Sequence, residues 1–248
     1  SITNNLSYHE INSIHGHDAF LMEYEQLNNL LDVVFKNKKN KMKILKFGGK
    51  SLANGEGINK VLDVIIDKKS KGDNIAVVVS ARGNATDELE DILTIAAKNG
   101  NYKPLLESFK SYQQDSYDVD LSEEFELLDK LFEGVSLIGD YSNRIKDQIL
   151  SKGELLSAKL LTGILLKNGI QAQFADARNL IKTDSRFGDA QPLDQLTKKN
   201  VVQYFKENTG KIHVVTGFIG SNNNNETTTL GRNGSNYTAS LLANYLNA

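Results

Sequence analysis

The sequence predicts an α/β fold in which helices cover both faces of a mainly parallel sheet, giving a three-layer α/β/α sandwich. Short apolar runs of strand length alternate with longer segments whose apolar residues recur at helical spacing. The chain also contains only two prolines, which suits long helices. In such sheets ligands bind at the carboxyl ends of the strands, so the residues after each strand are the candidates for a site.

Composition narrows the classes of function. The chain has 248 residues, of which 40% are hydrophobic, enough to bury a sizeable core. No apolar run approaches the roughly 20 residues that cross a bilayer, so we do not expect an integral membrane protein. The absence of cysteine excludes disulfides, thiolate catalysis and thiolate zinc sites. A net charge of −2 argues against a nucleic-acid binder, and without a secretory leader at its start we expect a cytoplasmic protein.

Three parts are predicted along the chain: residues 1–35, a short basic linker at 36–42, and a main domain at 43–248. Strands of the main domain are predicted at 44–47, 75–79, 171–175 and 211–219. Helices are predicted at 51–71, 86–98, 155–167, 201–207 and 235–246, with further helices between 101 and 135. The Asn-rich stretch 221–225 predicts a mobile loop.

The first candidate site is KFGGKS at residues 46–51, directly after the first predicted strand. Its glycines let the backbone approach a ligand, the N–H groups of a following helix attract anions, and Lys46 could reach a phosphate. A Walker A loop is rejected because its first glycine would fall on Ile44, inside the strand. An ordinary strand-to-helix turn is the alternative.

Two other polar loops follow predicted strands. SARGNATD at residues 80–87 comes after the second strand, and capping of a helix by Asn84 or Thr86 is its alternative reading. Asp176 and Arg178, with 183–184 nearby, follow the third strand, where a surface turn is the alternative. Both loops are predicted to lie at the edge of the sheet where a ligand would bind.

A polar pair in an otherwise apolar helix is the fourth candidate. Glu154 and Ser157 are three residues apart and therefore share one helix face. Ser151 and Glu154 also fit a capping box, which would make the pair a helix start rather than a site.

The fifth candidate is the stretch TTTLGRNGSNYT at residues 227–238. Arg232 supplies a guanidinium fork, the glycines bring backbone donors close, and a helix beginning at Ser235 adds positive potential. This combination predicts an anion site. A capped loop accounts for Ser235 but not for the density of the other features.

The five motifs occur in the order and spacing of aspartokinases, and residues 43–248 resemble the catalytic domain of that family, within the amino-acid kinase superfamily. The resemblance implies an amino-acid-kinase-like fold and phosphoryl transfer from Mg-ATP to the β-carboxylate of L-aspartate. The product, aspartyl-4-phosphate, would enter lysine, threonine and methionine biosynthesis. A carboxylate with a pKa of about 3.9 is already ionised at neutral pH and needs no general base. Catalysis would therefore rest on positioning and positive charge.

The resemblance also assigns roles to residues. Its catalytic positions are Lys46, Arg232 and Asn236. Its ATP phosphate loop contains Lys46, Gly48, Gly49 and Ser51. Its aspartate-binding positions are Thr86, Glu154, Phe218, Arg232 and Ser235. Glu154 would pair with the substrate ammonium and Arg232 would clamp a substrate carboxylate. ATP and Mg²⁺ are the implied cofactors, and no metal-ligating side chain is identified.

Two residues depart from the family pattern. Lys50 replaces the usual threonine and adds a cation beside the phosphate loop, while Asn236 replaces a functional aspartate. A catalytically silent binding or regulatory module is therefore one alternative function. A kinase for carbamate or for another amino acid, such as an acylated glutamate, is a second.

Both ends of the chain carry a further expectation. The family's nucleotide-base segment and regulatory domains would follow residue 248, so part of the ATP site is expected to lie outside this stretch. We expect the full-length protein to be a homo-oligomer. Residues 1–35 resemble the C-terminus of homoserine O-acetyltransferase, with His17 at the position of its triad histidine. No G-x-S-x-G elbow occurs in the chain, so His17 lacks a serine partner, and the two resemblances together predict a fusion of an acetyltransferase to an aspartokinase.

Overall fold

The structure is a computed structural model that describes residues 42–114 and 117–248. The chain divides into two units, Ser1–Asn40 and Lys41–Ala248, and all described residues belong to the second. The acetyltransferase-like segment 1–35 with His17, and the predicted linker except for Met42, lie outside the described residues.

The centre of the domain is a parallel sheet. Its strands are β1 (Met42–Phe47), β2 (Asn74–Val79), β3 (Ala172–Ala175) and β4 (Ile212–Thr216). Their spatial order is β1-β2-β4-β3, and every neighbouring pair is parallel. A two-stranded antiparallel hairpin follows, made of β5 (Ile219–Ser221) and β6 (Thr227–Thr229). The predicted α/β class with a mainly parallel sheet is confirmed.

Helices fill the connections between the strands. They are α1 (Gly55–Ser70), α2 (Ala85–Ala97), α3 (Lys103–Gln114), α4 (Ser122–Ile138), α5 (Asn143–Lys167), α6 (Ala177–Leu180), α7 (Asp194–Glu207) and α8 (Gly234–Leu246). A short 3₁₀ turn, Gly49–Leu52, follows β1. Among the described helices, none combines the length and apolar character that a bilayer crossing requires.

The central strand β2 shows why the domain has three layers. Its residues from Ile75 to Val79 are all buried, since both faces of the sheet are covered. Ile75, Val77 and Val79 pack with α1 and the second half of α5, whereas the intervening side chains pack with α7 and α8. A third apolar cluster joins α2, α3 and α4 to the first half of α5. Of these helices, α2 and α5 also contribute residues to the cleft described below.

Helix α5 is longer than its sequence predicts. It begins at Asn143, where the Ser142 hydroxyl accepts the Ile145 N–H at 3.4 Å, rather than at residue 155. Ser151 and Glu154 therefore lie inside the helix, and the capping-box alternative is wrong. The helical periodicity was hidden because polar side chains of this stretch are buried, including Lys152, which pairs with Glu124 of α4 at 2.6 Å.

The predicted strand 211–219 is interrupted at Gly217. A Cβ there would lie 2.5 Å from the Ser235 Oγ and 2.8 Å from the Val79 carbonyl oxygen, so only glycine allows β2, β4 and α8 to approach so closely. After this point the chain leaves the sheet and forms the β5–β6 hairpin. The predicted mobile loop 221–225 is the turn of that hairpin, and the Asn222 side-chain oxygen accepts the Asn224 and Glu226 N–H groups, each at 3.0 Å.

Candidate active site

A cleft of about 720 Å³ opens at the carboxyl edge of the sheet. Of the ten positions to which the resemblance assigns a role, eight line the cleft: Lys46, Gly49, Thr86, Glu154, Phe218, Arg232, Ser235 and Asn236. Two do not, Gly48 and Ser51; the Ser51 N–H instead donates to the Gly48 carbonyl at 3.0 Å and closes the turn after β1. Lys50 lines the cleft beside Gly49.

The loops that follow β1 and β2 pack against each other where they line the cleft. A Cβ on Gly49 would lie 2.4 Å from the Ala81 carbonyl oxygen and 2.6 Å from that of Gly83. The Gly83 N–H donates to the Gly49 carbonyl at 3.0 Å, and the Ser80 N–H donates to the Phe47 carbonyl at 3.1 Å. The glycine of the first motif is therefore required by contact with the second motif, which the sequence does not reveal.

Buried Arg82 holds the second loop from behind. Its guanidinium donates to the Leu52 carbonyl at 2.9 Å and to the Ala53 carbonyl at 3.3 Å, and it stacks 4.4 Å from the Tyr112 ring centre. Arg82 is thus structural. Asn84 is the residue before α2, but its side chain makes no capping hydrogen bond, and Thr86 lies within the helix facing the cleft. The capping alternative for this loop is therefore wrong for both residues.

Two exposed cations stand at the β1 side of the cleft. Lys46 is the penultimate residue of β1, and Lys50 lies in the turn that follows. Neither ammonium group forms a hydrogen bond or an ion pair with any other residue between 42 and 248 that the structure describes. Their ammonium groups are available for an anion in the cleft.

Glu154 is the most unusual ionisable group of the site. Its side chain is on α5, only 3% of the residue's surface is exposed, and Oε1 accepts the Ala81 N–H at 3.2 Å. Oε2 has no hydrogen-bond partner among the described residues. Burial raises the pKa of this carboxyl to about 8. A buried carboxyl with one oxygen unpartnered in a cleft is suited to an ammonium or another hydrogen-bond donor.

Gly153 makes this arrangement possible. A Cβ on Gly153 would lie 2.7 Å from the Ala81 Cβ, so glycine lets α5 approach the loop after β2. That approach brings the Glu154 carboxyl to the Ala81 N–H.

A second buried carboxyl, Asp147, lines the same cleft and was missed from the sequence. It is 1% exposed and accepts hydrogen bonds from the Gly188 N–H, the Thr229 N–H and the Thr229 hydroxyl, each at 2.9 Å. Burial raises its pKa, while these hydrogen bonds act in the opposite direction. Its position two helical turns before Glu154 was the available signal, since that spacing places both on one face.

The opposite wall is built by the turn between β6 and α8. Gly231 has φ of +68° and Asn233, the residue before α8, has φ of +63°, so two left-handed residues flank Arg232. Arg232 is exposed and makes no hydrogen bond or ion pair within the described part of the chain. Ser235 and Asn236 occupy the first turn of α8, whose N–H groups give positive potential toward the cleft. The geometry is that of an anion site.

Phe218 contributes an apolar surface to the cleft. Its φ is +67°, a conformation unfavourable for a non-glycine residue, and its backbone is held on both sides. The Phe218 N–H donates to the Thr238 hydroxyl at 3.2 Å, and its carbonyl accepts the Leu230 N–H at 2.8 Å. The strained residue is therefore fixed by the same turn that carries Arg232.

The remaining sequence motif lies outside the cleft. Asp176 caps α6 by accepting the Arg178 N–H at 3.0 Å, and its carboxylate pairs with the Arg178 guanidinium. Asp184 accepts the Gln191 N–H at 3.1 Å within its own loop. The surface-turn reading fits these residues.

The donor set of the cleft does not resemble a protein-held metal centre. Across residues 42–114 and 117–248, no group of three or more His, Cys, Asp or Glu side chains is placed to hold a metal ion. The two acidic residues at the rim, Asp87 and Glu90, belong to α2, and Glu90 is paired with Lys146.

Comparisons with known proteins give one consistent result. The sequence model of the amino acid kinase family matches residues 41–248. The lysine-sensitive aspartokinase 3 of Escherichia coli K12 is 31% identical over 216 residues, which is 83% of this chain and 46% of that protein. The aspartokinase of Chlamydia muridarum is 34% identical over 215 residues, 84% of this chain and 46% of that protein. A bifunctional aspartokinase/homoserine dehydrogenase of Buchnera aphidicola is 31% identical and is covered over 27% of its length.

Solved structures agree with the sequence comparisons. E. coli aspartokinase III in complex with aspartate and ADP superposes with a TM-score of 0.74 at 29% identity, covering 84% of this chain and 47% of that one. The same enzyme in complex with lysine and aspartate gives a TM-score of 0.74 at 30% identity. The chain spans about half the length, or less, of the relatives that it matches.

Proposed function

The chain belongs to the amino acid kinase family, and on that premise we propose that it carries the acceptor half of an aspartokinase active site. In the full-length protein this site would transfer the terminal phosphoryl group of ATP to the β-carboxylate of L-aspartate. The observation that carries the proposal is buried Glu154, whose Oε2 has no hydrogen-bond partner among the described residues and which lines one cleft together with the cations Lys46 and Arg232. Similarity to an enzyme solved with aspartate and ADP supports the same ligands.

The cleft matches the charges of L-aspartate. The α-ammonium would donate to Oε2 of Glu154, the one buried acceptor of the cleft wall that the described residues leave unpartnered. The α-carboxylate would be held by the Arg232 guanidinium and the first turn of α8, where Ser235 lies. Thr86 and Phe218 would border the carbon chain and fix its direction. The β-carboxylate would then face the β1 side of the cleft.

The β1 side supplies what a polyphosphate needs. Lys46 and Lys50 offer two ammonium groups without a partner in the described part of the chain, and Gly49 allows the loop to pack closely against Ala81. Gly48 and Ser51 would act by shaping this loop rather than by touching the ligand.

Phosphoryl transfer in this cleft would depend on placement and charge. The β-carboxylate is the nucleophile and is already ionised, so no side chain has to remove a proton. The obstacle is the repulsion between this anion and the triphosphate, and Lys46 would lower it by neutralising the transferring group. Buried Glu154 and the wall that carries Arg232 would fix the substrate so that the attacking oxygen is held in line.

ATP-dependent kinases use magnesium to neutralise phosphate charge, but the described residues do not form a complete set of protein ligands for this ion. Mg²⁺ commonly keeps several waters and binds through one or two carboxylates plus the phosphates. The described residues hold no group of three or more His, Cys, Asp or Glu side chains placed to bind a metal ion, and Asn236 offers an amide oxygen where the family usually has a carboxylate. A magnesium requirement is thus proposed only as part of the nucleotide.

The proposal is tested by trapping acyl phosphates with hydroxylamine. The full-length protein is incubated with ATP and with L-aspartate, carbamate or an acylated glutamate in turn. We expect hydroxamate from L-aspartate alone, and its loss in Lys46→Met but not in Lys98→Met, a change at an exposed residue at the end of α2. Hydroxamate from another acceptor would replace aspartate as the substrate, and none from any acceptor would favour a silent binding module.

A further inference from the structure

We propose that Asp147 is a positioning residue that holds the wall of the cleft carrying Arg232, an inference that rests on the proposed function for its catalytic consequence. Asp147 does not need to touch substrate for this role. It connects α5, which carries Glu154, to the turn that carries Arg232.

The carboxylate of Asp147 bridges two separate segments. Oδ2 accepts the backbone N–H groups of Gly188 and Thr229, and Oδ1 accepts the Thr229 hydroxyl. All three distances are 2.9 Å, and the residue is 1% exposed. Hydrogen bonds to a buried carboxylate of this kind are among the stronger ones in proteins.

Both bridged segments meet at Gly231. Thr229 is the last residue of β6, and the chain reaches Arg232 three residues later. Gly188 precedes Asp189, whose Oδ1 would lie 2.4 Å from a Cβ on Gly231. The Ala190 N–H also donates to the Thr229 carbonyl at 2.9 Å. The Asp147 side chain therefore holds both backbone segments, the one at Gly188 and the one at Thr229, that pack around the turn before Arg232.

The hydrogen-bond pattern separates this role from ligand binding. Each oxygen of Asp147 already accepts a hydrogen bond from a protein donor, whereas Oε2 of Glu154 has no partner between residues 42 and 248 as far as these are described. A carboxylate engaged in this way supports structure rather than a mobile ligand. The same pattern indicates which substitution should be tolerated. In Asp147→Asn the amide oxygen can accept both N–H groups, and the amide nitrogen can donate to the Thr229 hydroxyl, which then acts as acceptor.

Three variants of the full-length protein test the inference by hydrogen–deuterium exchange and by steady-state kinetics. In Asp147→Ala, peptides covering residues 184–190 and 227–234 should exchange about 10-fold faster, because their N–H groups lose their acceptor. Asp147→Asn should exchange like the wild type. Leu165→Ala, which removes a buried side chain from the far half of α5, is the control for general loss of stability and should leave both peptides protected.

The kinetic arm separates positioning from a charge effect. Asp147→Ala should raise KM for L-aspartate about 10-fold with little change in KM for ATP, since the aspartate wall loosens. Asp147→Asn should restore most of that affinity. An Asn variant as impaired as the Ala variant would overturn the inference in favour of a role for the negative charge, and unchanged exchange in Asp147→Ala would overturn it outright.

The inference can still be tested if Asp147→Ala does not fold or if the wild type is inactive. If Asp147→Ala does not fold, Thr229→Val removes only the hydroxyl bond, and it should speed exchange in 227–234 alone; unchanged exchange there would contradict the inference. If the wild type phosphorylates no aspartate, the proposed function fails, whereas the exchange arm still decides whether Asp147 holds the wall.

Discussion

Asp147 and Glu154 are buried carboxyls two turns apart on α5 that line one cleft, and of the two only Glu154 has an oxygen without a hydrogen-bond partner among the described residues. The hydrogen bonds of Asp147 tie α5 to Gly188 and Thr229. The free oxygen of Glu154 leaves one acceptor for a ligand at a place where water is largely excluded. One helix thus carries both the carboxyl that ties these segments together and the carboxyl that we propose binds the substrate ammonium.

Glu154→Gln should weaken L-aspartate binding to the full-length protein by about 10- to 100-fold, because a hydrogen bond between charged groups contributes about 1.5–3 kcal/mol. Its melting temperature should not fall, since the amide is as neutral as the protonated carboxyl that it replaces and its oxygen can still accept the Ala81 N–H. Titration calorimetry and thermal melts measure the two effects. The control is Glu123→Gln, an exposed glutamate on α4. Unchanged aspartate affinity would remove Glu154 from the site.

Aspartate binding should release a proton from Glu154 near pH 7. The raised pKa of about 8 means that the carboxyl is mostly protonated in the free domain, and pairing with an ammonium lowers that pKa. Calorimetry in buffers of different ionisation enthalpy counts the protons released. The count should approach one near neutral pH and vanish in Glu154→Gln. No dependence on buffer would mean that Glu154 does not change its charge on binding.

The same carboxyl should make the unliganded domain less stable as pH rises. The folded pKa of Glu154 lies above the unfolded value of 4.5, so the folded state retains the proton over a range where the unfolded chain has lost it. The contribution to the free energy of unfolding is therefore complete below pH 4.5 and is lost as pH rises toward about 8. Denaturant unfolding at several pH values measures this slope for wild type and Glu154→Gln. A slope that is equal in the two proteins would contradict the assignment.

Gly153→Ala should damage both stability and aspartate binding. Its new methyl group would meet the Ala81 Cβ at 2.7 Å, and relieving that overlap moves α5 away from the Ala81 N–H that Glu154 accepts. Overpacking of this kind costs about 1–3 kcal/mol. Gly134→Ala on α4 is the matched control, because a Cβ there meets nothing within 4 Å and alanine favours a helix. Equal behaviour of the two variants would show that the contact at Gly153 is not limiting.

Asn236→Asp should lower the magnesium concentration needed for half-maximal rate in the full-length protein. A carboxylate at this position, in the first turn of α8 and on the cleft, adds a hard anionic ligand where the amide supplies only a weak one. We expect a rise in turnover of about 10-fold, equivalent to about 1.4 kcal/mol of barrier. A magnesium titration of aspartyl-phosphate formation compares the two proteins, and identical curves would make Asn236 a neutral variant.

The sequence predicts the sheet better than it predicts the site. The run from Ile75 to Val79 identifies β2 because a strand covered on both faces has to be apolar throughout. The first half of α5 is not predicted from the sequence, because buried Lys152 interrupts the apolar periodicity that identifies a helix. Its burial depends on the ion pair with Glu124. The break at Gly217 depends on contacts with β2 and α8 that no local pattern encodes.

Within the site, the motifs identify most of the residues that line the cleft, but they do not identify Asp147, which is hydrogen-bonded to two neighbouring segments. Lys46, Glu154 and Arg232 reach one cleft from three distant parts of the chain. Lys46 is at the carboxyl end of a parallel strand, where ligand sites of such sheets are expected, whereas Glu154 is on helix α5 and Arg232 is in the turn before α8. Their individual roles remain predictions. Asp147 is not part of a motif, because the groups that it binds are backbone N–H groups 41 and 82 residues away in the sequence, and a backbone group leaves no trace in the residue pattern.

A crystal structure of the full-length protein with L-aspartate bound tests most directly whether the cleft binds aspartate as proposed. We expect the α-ammonium of the bound aspartate to lie within hydrogen-bond distance of Oε2 of Glu154, about 3 Å, with its β-carboxylate turned toward Lys46. An aspartate whose ammonium lies away from Glu154, or whose β-carboxylate points away from Lys46, would contradict the proposal.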